Sequence, residues 1–163
     1  GWLTDCYIPN EKAIYLSNDV YYGESIAAVA ISLHEVGHAI QDSSGTLLYL
    51  IRCMLAKIRG IGLLLGIPIT VIGLSYQWWF YVGITILMMV MAFYIIEIPI
   101  EINASYKAFE TLKAHHMPKT KLNKVKLLLG CAAMSYFVAA VVMFITIVML
   151  VLSAVGEDNK ENK

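Results

Sequence analysis

The sequence is short of charge and short of cysteine, and each shortage excludes something. Only 15% of its 163 residues are Asp, Glu, Lys or Arg, against 59% hydrophobic residues and a mean hydropathy of +0.68. Soluble domains carry roughly 25% charge, so this composition points away from a water-exposed surface and toward a membrane protein. Cys6, Cys53 and Cys131 are odd in number, widely spaced and free of any C-x-x-C pair, which argues against a disulfide framework or a cysteine-rich zinc site. Net charge is zero and no basic patch interleaved with aromatics occurs, so nucleic acid is not an expected partner. The stretch from Gly1 to Asp5 has neither an initiator Met nor the basic head and apolar run of a signal peptide, and no internal repeat is visible.

What is present changes character along the chain. Pro9-Asn10-Glu11 is a turn signal followed by the strand formers Ala13 to Leu16, which predicts a small β-hairpin. Ser17-Asn18-Asp19 can cap a helical turn, and from Glu24 to about Gln41 the pattern is helical and apolar. The apolar part of that helix is too short for a span, which needs roughly 20 residues, so it belongs to a soluble or interfacial lobe. Leu47 to Arg59 interleaves apolar residues with Arg52, Lys57 and Arg59 and reads as an interfacial helix whose basic side chains reach headgroups.

From Gly60 to Ile96 no charged residue occurs, and Ser75 to Trp79 divides the stretch into a membrane hairpin. Its first arm, Gly60 to about Leu74, would be only about 22 Å long and holds Gly62, Gly66, Pro68 and Gly73, which suggests a kinked or re-entrant segment. The second continues past Glu97 and Glu101 to about Leu112, and Pro118 ends it within a Lys-rich connector. Leu127 to Val155 is a further charge-free span, followed by a polar, disordered tail. The expected organisation is a catalytic lobe over 1–59, a transmembrane hairpin over 60–96, a helix and basic connector over 97–126, a span over 127–155 and a tail over 156–163. Lys and Arg crowd the side that holds the lobe, leaving Lys160 and Lys163 opposite, so a plasma-membrane protein with that lobe in the cytoplasm is expected.

The chemistry lies in His34-Glu35-Val36-Gly37-His38, an H-E-x-x-H pattern. On a helix, residues four apart lie about 40° round and about 6 Å along the axis, so both imidazoles can reach one ion. Glu35 can then sit beside the open position of a Zn2+ ion and take a proton from its water, acidified to a pKa of about 7. The expected fold is mainly α and integral to a membrane, with a zincin-like helix, a small N-terminal β-hairpin and about three transmembrane helices. A third ligand is required, and Glu101 is the leading candidate because the hairpin returns it to the site's side. Glu97, one turn earlier, is the alternative, and its commoner role is a polar flank where a span leaves the membrane. His115 and His116 read as solvated connector histidines. Ser105, one turn after Glu101, is a candidate hydrogen-bond partner for a ligand histidine. The oxyanion-stabilising group is unassigned, with Tyr106 and the connector histidines as residues to test.

With these residues assembled, the chain resembles the bacterial neutral zinc metallopeptidases of the YugP type. The resemblance runs from Leu3 to about Leu112, on Leu3-Thr4-Asp5, Leu16-Ser17, Asp19 to Gly23, His34 to Gln41 and Pro99 to Ser105. More distantly, Glu101-x-x-Ala104-Ser105 is similar to the Glu-x-x-Ala-Asp segment of HtpX and CAAX-protease relatives, where the Glu is the third zinc ligand and the Asp orients a histidine. Ser105 replaces that Asp. The resemblance implies a prokaryotic membrane protein with an additional N-terminal span. Cys6 and Ile8 stand where the family tends to have His and Asp, which implies that specificity could differ. The expected activity is hydrolysis of membrane-associated or misfolded proteins, with Lys12 to Leu16 as a strand edge for an extended peptide. An intramembrane site-2 type protease is the rival enzyme, but it calls for an H-E-x-x-H inside a full span. A catalytically silent metal-binding scaffold is the rival from another class.

Overall fold

Alternating strand formers on either side of a proline-initiated turn build the first element. In the computed structural model, which describes residues 5–45, 47–114 and 118–161, β1 (Cys6–Ile8) pairs antiparallel with β2 (Ala13–Tyr15). Cys6 faces Tyr15, Tyr7 faces Ile14 and Ile8 faces Ala13. The amides of Glu11 and Lys12 close the turn onto the carbonyls of Ile8 and Pro9, with Lys12 in the left-handed region at φ 52°. The helices α1 (Asn18–Tyr21), α2 (Ile26–Ser43), α3 (Leu47–Gly73), α4 (Gln77–Ala114) and α5 (Lys119–Glu161) follow. The chain is therefore mostly helical with a small two-stranded sheet, as its pattern predicts. Three helices are long and apolar enough to cross a membrane, over Tyr49–Gly73, Gln77–Ala114 and Lys119–Gly156.

The chain divides into two units. The first comprises Gly1–Arg52 and Ile98–Ser135. Ser25 caps α2 by accepting the Ala28 amide at 3.0 Å, and the helix then buries Ala30 against Ala108, Leu112, Val125 and Leu129. Asp5 ties the hairpin to the chain leaving it, its carboxylate accepting the Ser17 amide at 2.6 Å and hydroxyl at 3.2 Å.

The second unit comprises Cys53–Glu97 and Tyr136–Lys163, with a core of Leu87, Val90 and Met143. Its helices approach closely through glycine. A Cβ on Gly62 would lie 2.5 Å from a Val90 methyl, and one on Gly66 2.8 Å from a Leu87 methyl. Arg59 pairs with buried Glu97, and its guanidinium lies 5.0 Å from the centre of the Tyr94 ring and 5.6 Å from that of Tyr136. A sequence reading that sends Arg59 to headgroups is thus corrected. An unpaired carboxylate buried at position 97 would be far costlier than withdrawing one guanidinium from water.

Three expected boundaries are absent. α3 runs unbroken from Leu47 through Gly60 and Pro68, where an interfacial helix and a separate kinked arm are expected. Away from water the backbone has no alternative partners, so a helix tolerates an internal proline, and Thr70 adds a hydroxyl bond to the Gly66 carbonyl at 2.7 Å. α5 begins at Lys119 and not near Leu127, because the Pro118 carbonyl accepts the Lys121 and Leu122 amides and lysine is a good helix former. The same helix continues to Glu161, through a tail expected to be irregular. No helix breaker other than Gly156 interrupts that segment.

Candidate metal centre

The helical spacing of His34 and His38 turns both rings to one face of α2, and α4 supplies a carboxylate opposite. His34 Nε2 lies 3.2 Å from His38 Nε2 and 3.0 Å from Glu101 Oε2, and His38 Nε2 lies 3.6 Å from the same oxygen. A tetrahedral ion with bonds of roughly 2.0–2.2 Å holds its donors about 3.3–3.6 Å apart. The triangle therefore has nearly the dimensions such an ion requires. It forms a group that could hold a metal, buried at His38 and Glu101 and partly open at His34.

The outer sides of the rings determine which nitrogens point inward with lone pairs. Gln41 donates its amide hydrogens to the Ile100 carbonyl at 2.9 Å and to Asn103 Oδ1 at 3.0 Å. Its Oε1 is left to face His38 Nδ1 at 3.0 Å, so Nδ1 carries the proton and Nε2 is bare. Ser105 donates its hydroxyl to the Leu129 carbonyl at 3.1 Å and presents its oxygen 3.4 Å from His34 Nδ1, which assigns His34 the same tautomer. Glu101 Oε1 accepts from Arg52 Nε at 2.8 Å, leaving Oε2 toward the rings. Three electron-pair donors thus converge, an arrangement that a cation at their centre relieves. The donor set of two imidazoles and one carboxylate suits zinc.

Glu35, next to His34 in sequence, is buried, and its Oε2 accepts the backbone N–H of Tyr7 at 2.8 Å. The hairpin thereby fixes the carboxylate's rotation. Tyr7 also donates its hydroxyl to Asp42 at 2.6 Å, and Lys12 reaches the same carboxylate oxygen at 2.6 Å. The Lys12 ammonium, followed by the Tyr7 hydroxyl, holds the Asp42 carboxyl below its ordinary range. The ring of fully buried Tyr49 lies 5.8 Å from that of Tyr7 and 5.9 Å from that of His38.

Gly37 explains how α2 and α4 come close enough. A Cβ there would sit 2.3 Å from the Ala104 carbonyl oxygen, which is backbone and cannot move aside alone. The glycine inside the H-E-x-x-H pattern is a packing requirement.

Of the residues singled out by sequence, the structure brings His34, His38 and Glu101 together with Ser105 against His34, while the buried Glu35 carboxylate is held by the Tyr7 amide. Glu97 is occupied by Arg59 instead. His115 and His116 lie outside the described residues, and Tyr106 is 61% exposed. Arg52 is corrected from a headgroup-seeking residue to the partner of Glu101, 49 positions away in sequence. Gln41, Asn103 and the Tyr7 amide were assigned no task. The one available signal was a glutamine one turn after His38 on an otherwise apolar face.

The profile of the family described as "Putative neutral zinc metallopeptidase" matches residues 1–155. The chain is 33% identical over 164 residues to a Bacillus subtilis protein named "Putative membrane protease YugP", covering 93% of this chain and 69% of that one. No solved structure matches it.

Proposed function

The chain belongs to the family of neutral zinc metallopeptidases, and from that membership we propose that it is a membrane-bound zinc endopeptidase in which His34, His38 and Glu101 hold the metal. The observation that carries the reading is the triangle of two imidazole Nε2 atoms and one carboxylate oxygen, with buried Glu35 next to His34 in sequence. Bound there, zinc supplies Lewis acidity toward a peptide carbonyl and an acidified water for its hydrolysis. Glu35, oriented by the Tyr7 amide, takes the proton from the water and delivers it to the leaving amine. Gln41 and Ser105 keep the imidazole protons on the outer nitrogens, and Arg52 holds one Glu101 oxygen so that the other is turned inward. The substrates are membrane-associated or misfolded proteins, and the positive-inside bias puts the site on the cytoplasmic face of the plasma membrane.

The test is zinc content and turnover of the purified full chain. The parent should carry about one zinc per chain, the number one such donor set can hold. Glu101→Ala should lose the metal and Glu97→Ala keep it. Glu35→Gln should keep the zinc while cleavage of an unfolded protein falls by roughly 10²–10⁴-fold. Zinc well below stoichiometry in the parent, or unchanged turnover in Glu35→Gln, would refute the peptidase and favour the scaffold.

A further inference from the structure

A cavity of about 160 Å³ opens beside the metal centre within the first unit, and His34 forms part of its wall. The rest of the wall is apolar and comes from two helices: Ala27, Ala30 and Ile31 of α2, and Leu128, Leu129 and Ala132 of α5. Three of these six are alanine, so the space exists because the side chains around it are small. An apolar cavity of roughly 150 Å³ accepts a group the size of benzene and excludes ordered water. A charged or amide-bearing group entering it would find no side-chain partner except His34, and leaving a polar group unpaired is costly. Leu129 also fixes the cavity relative to the donors, because its carbonyl accepts the Ser105 hydroxyl that faces His34.

We infer that this cavity is a specificity pocket that receives a leucine-, methionine- or phenylalanine-sized side chain of the peptide, at a residue flanking the bond to be cut. The inference rests on the peptidase reading and narrows its substrate class to segments with a bulky apolar residue at the cleavage site. Such a side chain lies against His34, so occupying the pocket positions the neighbouring peptide carbonyl at the metal donors. Ala27 and Ala132 line the cavity and are themselves exposed and half-buried, so enlarging either narrows the space without disturbing the buried core at Ala30.

The test uses the full chain in lipid nanodiscs and a peptide series differing at one position, with Ala, Leu, Phe, Asp or Lys there. Turnover is measured on the zinc-loaded parent, and Kd on Glu35→Gln protein, which binds without cutting. Leu and Phe peptides should exceed the Ala peptide by at least about tenfold in both readouts, since even one methylene in an apolar pocket is worth roughly 10–200-fold, and Asp and Lys peptides should fall below it. Ala132→Phe should erase the advantage of the Phe and Leu peptides over the Ala peptide, and Ala27→Phe should do the same more weakly. If both variants keep the parent ranking, or if all peptides bind alike and are displaced by a free fatty acid, the pocket is not a side-chain site. A parent that cuts nothing but shows the Kd ranking, collapsing in Ala132→Phe, would sink the peptidase reading and leave the pocket standing.

Discussion

The two units bury polarity in opposite ways. In the first, His38, Gln41, Glu101 and Ser105 are buried and bonded through His34 into one network around a common point, and buried Glu35 is held separately by the Tyr7 amide. In the second, Thr70 and Glu97 are the buried polar residues among those described, and each is satisfied separately, by the Gly66 carbonyl and by Arg59. Glu97 and Glu101 stand four residues apart on α4, each held by an arginine of α3, yet only Glu101 also faces two imidazoles. An arginine–carboxylate pair therefore serves to join helices in one unit and to turn a carboxylate toward two imidazoles in the other. Composition alone does not separate the two uses; the presence of further donors does.

Substitution can break this contrast, most severely at glycine. Gly37→Ala should force α2 from α4 through a backbone clash and abolish stoichiometric zinc, read by metal analysis of whatever folded protein is recovered. Gly62→Ala in the second unit meets only a methyl of Val90, so it should cost about 1–3 kcal/mol of stability and keep the zinc. Next in size is Arg59→Ala, which strands a buried carboxylate and should cost about 3–5 kcal/mol in thermal or denaturant unfolding. Replacing both Arg59 and Glu97 by Met should recover most of that loss, and neither change should alter zinc affinity. Gln41→Ala should show the reverse pattern, weakening zinc binding by roughly 10–100-fold in competition with a chelator while changing stability less than Arg59→Ala does.

The smallest expected effect belongs to the hairpin's anchor. The Asp42 carboxyl is held below its ordinary value by Lys12 and Tyr7, so its contribution is fully present above the unfolded pKa, near 3.8. It is lost as the pH falls through that value and then through the lower folded one. Lys12→Ala should reduce stability by roughly 0.2–1 kcal/mol at neutral pH, as exposed pairs do, and flatten the acid limb of a stability-against-pH curve.

What the sequence revealed and what it hid divide along range. The ligand pair was legible because its geometry is set by one helix's pitch. The carboxylate of Glu101 followed from requiring a third donor and from the return of a membrane hairpin. The hairpin and the three long helices followed from turn residues and charge-free runs. Arg52 was misread because a lone cation in an apolar run looks the same whether it faces headgroups or a carboxylate 49 residues on. Gly60 and Pro68 suggested breaks by rules that hold in water, where freed carbonyls find other partners. The role of Gly37 is invisible without Ala104 against it, and the alanines at 27, 30 and 132 declare a cavity only once α2 and α5 are packed.

The contact between the Tyr7 amide and Glu35 has an evolutionary reading as well as a chemical one. Its donor is main chain, so any amino acid except proline at position 7 supplies it. The side chains of Cys6 and Ile8 on either side take no part in this bond, and the orientation of the glutamate is set by the path of the strand. A lineage could thus change what those two positions present to their surroundings while the glutamate keeps its orientation.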